Sequence, residues 1–211
     1  SRTVLANIRR MLGYLLATNA GEALTMMGTL LLFGGQMLTP IQILWVNLVT
    51  DSLLVIPLGL EPVEGKVLRR KPERKDAPIL PSSLVIRMII IATTMAVITI
   101  GTFAVSWRIL GSAEQANTLA FTALVVMQWS GAISARGLYE SAWQRLKVKH
   151  TSFYLALLAA IVLQALALFG PLATLTGTVG VPFWELAVVS IIAFVVPLVV
   201  IEVYKHLQNK D

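Results

Sequence analysis

The 211 residues are 56% hydrophobic and only 13% charged, with a formal net charge of +6 and a mean hydropathy of +0.77. The charged share is about half that of a soluble domain, and several apolar runs reach roughly 20 residues, enough to cross a ~30 Å hydrocarbon core. An ordinary soluble globule is thereby excluded, and the absence of cysteine excludes a disulfide framework and thiolate-bound zinc.

The chain opens on Ser1-Arg-Thr-Val-Leu-Ala-Asn-Ile-Arg-Arg10, with no initiator methionine and no signal-peptide pattern, and reads as a piece of something longer. A first apolar span is predicted over 12–33, closed by Gly34-Gly35, and a second over 41–60 begins beside Pro40. A polar loop, 61–83, carries Pro62, Pro72 and Pro78 within its first twenty residues, which argue against a continuous helix. It reads as a solvated linker or as a docking surface for a soluble domain. Further spans are predicted over 84–107, 118–135, 153–169 and 184–204, the fourth of the six being the weakest because it contains Gln128, Ser130 and Gly131. Trp107, Trp143 and Trp184 near span ends suit a membrane interface. The expected fold is all-α: a single domain over 1–211, six transmembrane helices in a bundle.

With both termini cytoplasmic, every one of the 17 Lys and Arg residues except Arg108 falls on the cytoplasmic side, as the positive-inside bias requires. The net positive charge is then explained by topology and the lipid bilayer. No basic patch is left over for nucleic acid.

Two carboxylates interrupt the apolar runs. Glu22 lies within the first span and Asp51 within the second; an ionised carboxylate at bilayer depth costs roughly 2.5–3.5 kcal/mol on insertion scales. Residues three and four apart share a helix face, so Thr18, Asn19 and Glu22 group together, as do Asn47, Thr50 and Asp51. A short turn makes the two spans antiparallel neighbours with both clusters near mid-depth. The combined shell is all oxygen, suited to a hard cation such as Ca²⁺, and no His or Cys at this depth favours zinc or copper. Alternatives are hydrogen bonding across a helix pair and a proton relay between paired acids. Gly21 and Gly28 would permit close helix approach, and Pro57 is expected to open the helix below Asp51 by releasing the carbonyl of Leu53.

The strings Asn19-Ala-Gly-Glu22, Pro40-Ile-Gln-Ile-Leu-Trp-Val-Asn-Leu-Val-Thr-Asp51, Leu58-Gly-Leu-Glu-Pro62 and Arg69-Arg-Lys-Pro72 closely resemble the C-terminal transport region of P-type cation ATPases of the calcium-pump type. The resemblance covers essentially the whole chain, as the fifth to tenth membrane helices. It implies that Asn19 and Glu22 of one helix, and Asn47, Thr50 and Asp51 of the next, are ion ligands. Gln128 stands where two-ion calcium pumps place a glutamate, which implies one Ca²⁺ per cycle, and Ser52 follows Asp51 where glycine is common.

The family's Asp-Lys-Thr-Gly phosphorylation segment, Thr-Gly-Glu motif and fourth-helix Pro-Glu-Gly-Leu segment do not occur in this sequence, nor does a Walker-type glycine loop. The resemblance thus implies partners: the family's cytoplasmic domains, through which ATP and Mg²⁺ would act, and its first four membrane helices. This chain alone is not expected to hydrolyse ATP. The expected cargo is Ca²⁺ or Mn²⁺. The other reading is a non-enzymatic membrane module, a passive carrier, channel or regulatory subunit built on the same bundle.

Overall fold

A computed structural model describes residues 1–35 and 37–210. Among them there is no β-strand, and six helices are long and apolar enough to cross a membrane. These are α1 (Arg2–Phe33), α2 (Pro40–Leu58), α3 (Ser82–Leu110), α4 (Ala113–Ala135), α5 (Thr151–Phe169) and α6 (Phe183–Gln208). Short helices at Gly65–Arg69, Ala142–Leu146 and Ala173–Thr176 punctuate the connections.

Local chemistry sets most of these boundaries. Ser1 accepts a hydrogen bond from the Val4 N–H at the start of α1, and Gly34, at φ 67°, ends it in the left-handed conformation that glycine adopts without steric cost. Helix α1 therefore begins ten residues before the predicted span, extending beyond the apolar run. Thr39 and Gln42 form a reciprocal capping box around Pro40 and start α2.

The packing is led by α1 on α3, α3 on α4, and α6 on α4, with the second half of α2 against α5. Gly21 faces Met95, and Gly28 lies so close to Ile100 that a Cβ there would stand 2.5 Å from its Cδ1, so small residues do bring α1 against α3. Helix α4 is the centre of the bundle: 83% of its membrane-length stretch is buried, against 22–44% for the other five helices. The polarity that weakens it as a lipid-facing span is tolerated because Gln128 and Ser130 meet protein, not hydrocarbon.

The basic residues collect at one end. Arg10 from α1, Arg87 from α3 and Lys205 from α6 all donate to carbonyls at or just beyond the C-terminus of α4, at Arg136, Ser134, Gly137 and Leu138. These are the orphan acceptors at the negative end of a helix, which cations satisfy twice over, by hydrogen bond and by charge.

Candidate cation site

Helix α2 is not regular. Val46–Asp51 forms a π-helical turn between the α-helical segments Pro40–Trp45 and Ser52–Leu58. One extra residue per turn widens the helix and loosens its hydrogen bonding, and such turns favour functional sites. All three predicted ligands of this helix, Asn47, Thr50 and Asp51, lie in it. The irregularity precedes Asp51, whereas Pro57 was expected to open the helix after it. Pro57 lies inside the last α-helical turn of α2, where its missing N–H withholds the intrahelical donor from the Leu53 carbonyl, yet Ser52–Leu58 stays α-helical around it. Ser52, which stands where glycine is common, helps shape the wide turn by donating its hydroxyl to the Asn47 carbonyl at 3.3 Å.

The two carboxylates are buried, Glu22 4% and Asp51 2% exposed. Gln128 of α4 donates its amide to Glu22 Oε1 at 3.3 Å, and Thr18 of α1 donates to Asp51 Oδ2 at 3.3 Å. Since Thr18 lies one helical turn before Glu22, that bond ties the acid-bearing face of α1 to the π turn of α2. The half-buried Asn47 lies in the same π turn as Asp51. Thr50 is buried in the same turn. Asn19 is placed differently: it is exposed on α1, to one side of the buried group.

Two oxygens mark the centre as a place for something positive. Asp51 Oδ1 and Gln128 Oε1 are buried with no hydrogen-bond partner among the described residues. A buried acceptor without a donor costs about 1–3 kcal/mol, more when charged, and a cation removes that cost. The available ligands are carboxylate, amide and hydroxyl oxygens, the donor set of a hard cation. No three Asp, Glu, His or Cys side chains converge among the described residues, so amide oxygens must carry part of any shell.

Tyr14 belongs to this site and was not predicted. Its buried hydroxyl stands beside Asp51 yet has no hydrogen-bond partner among the described residues, and its ring passes Gly131 of α4. The signal was present, because Tyr14, Thr18 and Glu22 recur every four residues along one face of α1.

A second acidic cluster lies at the basic end. Glu61, just past α2, receives Arg136 at 3.0 Å and Arg145 at 2.7 Å, with His150 Nδ1 2.7 Å from its other oxygen. Glu64 pairs with Arg10 at 2.6 Å and accepts the backbone N–H groups of Leu138, Tyr139 and Glu140. Burial pushes the Glu64 carboxyl up, but the Glu140 N–H, the Arg10 guanidinium and the other two N–H groups outweigh it and hold it below the ordinary carboxylate range. The opening of the 61–83 loop is thus a buried strut, while residues 70–76 are exposed. The solvated-linker reading holds only for that later part.

Residues 35–207 match the family described as cation transporting ATPase, C-terminus. The chain belongs to this family. A calcium-transporting ATPase of Bacillus subtilis is 34% identical over 171 residues, covering 81% of this chain and 19% of the relative. A calcium-transporting ATPase of Plasmodium falciparum is 25% identical over 246 residues, covering 95% and 20%. A probable cation-transporting ATPase F of Mycobacterium tuberculosis is 31% identical over 145 residues, covering 68% and 16%. The chain spans about a fifth or less of the length of these relatives. It is the C-terminal membrane region of a P-type cation ATPase and a multi-pass integral membrane protein.

Proposed function

We propose that this region carries part of the ion path of a pump that moves Ca²⁺, or alternatively Mn²⁺, across a membrane, one ion per cycle. Glu22, Asn47, Thr50, Asp51 and Gln128 supply the oxygens, and Asn19, exposed to one side of them on α1, would join the shell only if its side chain changed rotamer. The reading rests chiefly on the unpartnered, buried Asp51 Oδ1 and Gln128 Oε1 between α1, α2 and α4. Two carboxylates balance one divalent charge, and Gln128 contributes an oxygen without a third negative charge, which favours one ion over two.

The basic end is cytoplasmic, by the positive-inside bias, so both termini lie there. Cytoplasmic ATPase domains, acting with ATP and Mg²⁺, and four further membrane helices complete the machine. The 61–83 loop meets those domains through its exposed portion, and the Glu61 and Glu64 strut carries their movement to α1, α4 and α5.

The test is phosphoenzyme formation from ATP by the full-length pump, scanned over Ca²⁺, Mn²⁺, Mg²⁺ and Na⁺. Ca²⁺ or Mn²⁺ should support it. Asp51→Asn and Glu22→Gln should each weaken the cation requirement about a hundredfold, the ~3 kcal/mol that a contact to a full charge can carry. Unchanged cation dependence in both variants would sink the assignment. ATP-independent cation flux through the wild-type protein, with no phosphoenzyme, would select the passive-module reading.

A further inference from the structure

A fifth buried acid takes no part in either cluster. Glu185 lies in the first turn of α6, 5% exposed, and neither of its carboxylate oxygens has a hydrogen-bond partner among the described residues. It is at the end of the bundle opposite the Arg and Glu network. A helix N-terminus favours a negative charge, but here it supplies the carboxylate with no N–H contact.

Glu185 forms one wall of a groove of about 320 Å³ between α3 and α6. Gly101, Val105 and Ile109 line one side, Val188 and Ile192 the other. The groove is lined mainly by apolar side chains, with Glu185, Thr102 and the buried Ser106 as its polar members. Trp184 and Phe183, both exposed, flank Glu185 as aromatic residues do at a membrane interface. Arg108 follows Ser106 by two residues on α3, is exposed, and forms no ion pair among the described residues. It is the one cation that topology places at this end.

We propose that this groove is a binding site for an aminophospholipid, with the primary ammonium on Glu185, the phosphate toward Arg108 and one acyl chain between α3 and α6. Charge complementarity selects the ligand. At the edge of an apolar, chain-shaped groove, a buried carboxylate with two empty acceptor sites is best met by a cation that also brings N–H donors; a primary ammonium supplies three, a trimethylammonium none. An unpaired Arg within a few residues of the same groove matches the phosphate of a zwitterion. The apolar walls suit a hydrocarbon chain and, besides Glu185, offer it only the Thr102 and Ser106 hydroxyls.

The test is native mass spectrometry of the full-length protein titrated with phosphatidylethanolamine, phosphatidylcholine and phosphatidylglycerol, with thermal unfolding run in parallel. The wild type should retain phosphatidylethanolamine about tenfold over phosphatidylcholine, the preference a charge-assisted hydrogen bond confers. Glu185→Gln should abolish that preference. Arg108→Gln should weaken both lipids alike. Gly101→Leu supplies an independent check: a Cβ at Gly101 meets nothing within 4 Å, so the larger side chain should fill the groove, remove phosphatidylethanolamine and leave the melting temperature unchanged. Equal retention of the two lipids by the wild type, or a preference that survives Glu185→Gln in a folded protein, would overturn the proposal. So would equal protection by octylamine with no lipid retained, or a dimer that Gly101→Leu dissociates.

Discussion

Glu22 and Asp51 in the middle of the bundle, and Glu61 and Glu64 at its basic end, are two pairs of buried acids with opposite surroundings. Glu61 and Glu64 are met by three guanidinium groups, an imidazole and three backbone N–H groups. Glu22 and Asp51 receive one amide, one hydroxyl and no cationic side chain among the described residues. Burial is equal, so compensation separates the roles. An acid whose charge is already balanced by the protein holds elements together, whereas one left unbalanced is available to a mobile cation.

The contrast predicts opposite responses to mutation. The largest effect is expected at Glu61: Glu61→Ala leaves Arg136 and Arg145 buried without their shared partner, which should cost about 3–5 kcal/mol. Thermal unfolding of the full-length protein in detergent measures it, and a loss below about 1 kcal/mol would erase the distinction between the pairs. Asp51→Asn, equally buried, removes an uncompensated charge and should leave stability within about 1 kcal/mol of wild type or raise it, even as the cation requirement weakens. A destabilisation as large as that of Glu61→Ala would make Asp51 structural.

The smallest effect is the pH response of Glu64. Its carboxyl is held below the ordinary glutamate pKa of about 4.5 in the folded protein, so the folded state binds fewer protons than the unfolded one. The stabilisation it confers is present above the unfolded pKa and lost as pH falls through the lower, folded value. Melting between pH 7 and pH 4 should show a drop beginning near pH 4.5 that Glu64→Gln shallows. An unaltered slope in that variant would assign the acid sensitivity to other carboxylates.

Much of the site was legible because membrane insertion makes polarity expensive. Glu22, Asp51 and Gln128 stand out against leucine, valine and alanine, and spacing by three and four groups their neighbours. Asn19 shares that spacing but faces outward, since i, i+3 residues diverge by some 60° around a helix and only packing decides which one points inward. Tyr14 escaped because a tyrosine in an apolar run resembles core or interface until its hydroxyl is seen beside Asp51. The Glu61 and Glu64 strut escaped for a different reason: charged residues in a proline-bearing loop look solvated, and their partners lie 54 to 89 positions away.

Composition and hydropathy by themselves determined that the chain is helical, that it crosses a membrane six times, and that two carboxylates lie within the spans, because the bilayer penalises unpaired polar groups regardless of how helices pack. Only the tertiary structure decided that α4 is the buried axis, that α2 widens into a π turn at its candidate ligands, and which acids are neutralised by arginine. Those outcomes depend on contacts between residues far apart in sequence, where short-range periodicity carries no information.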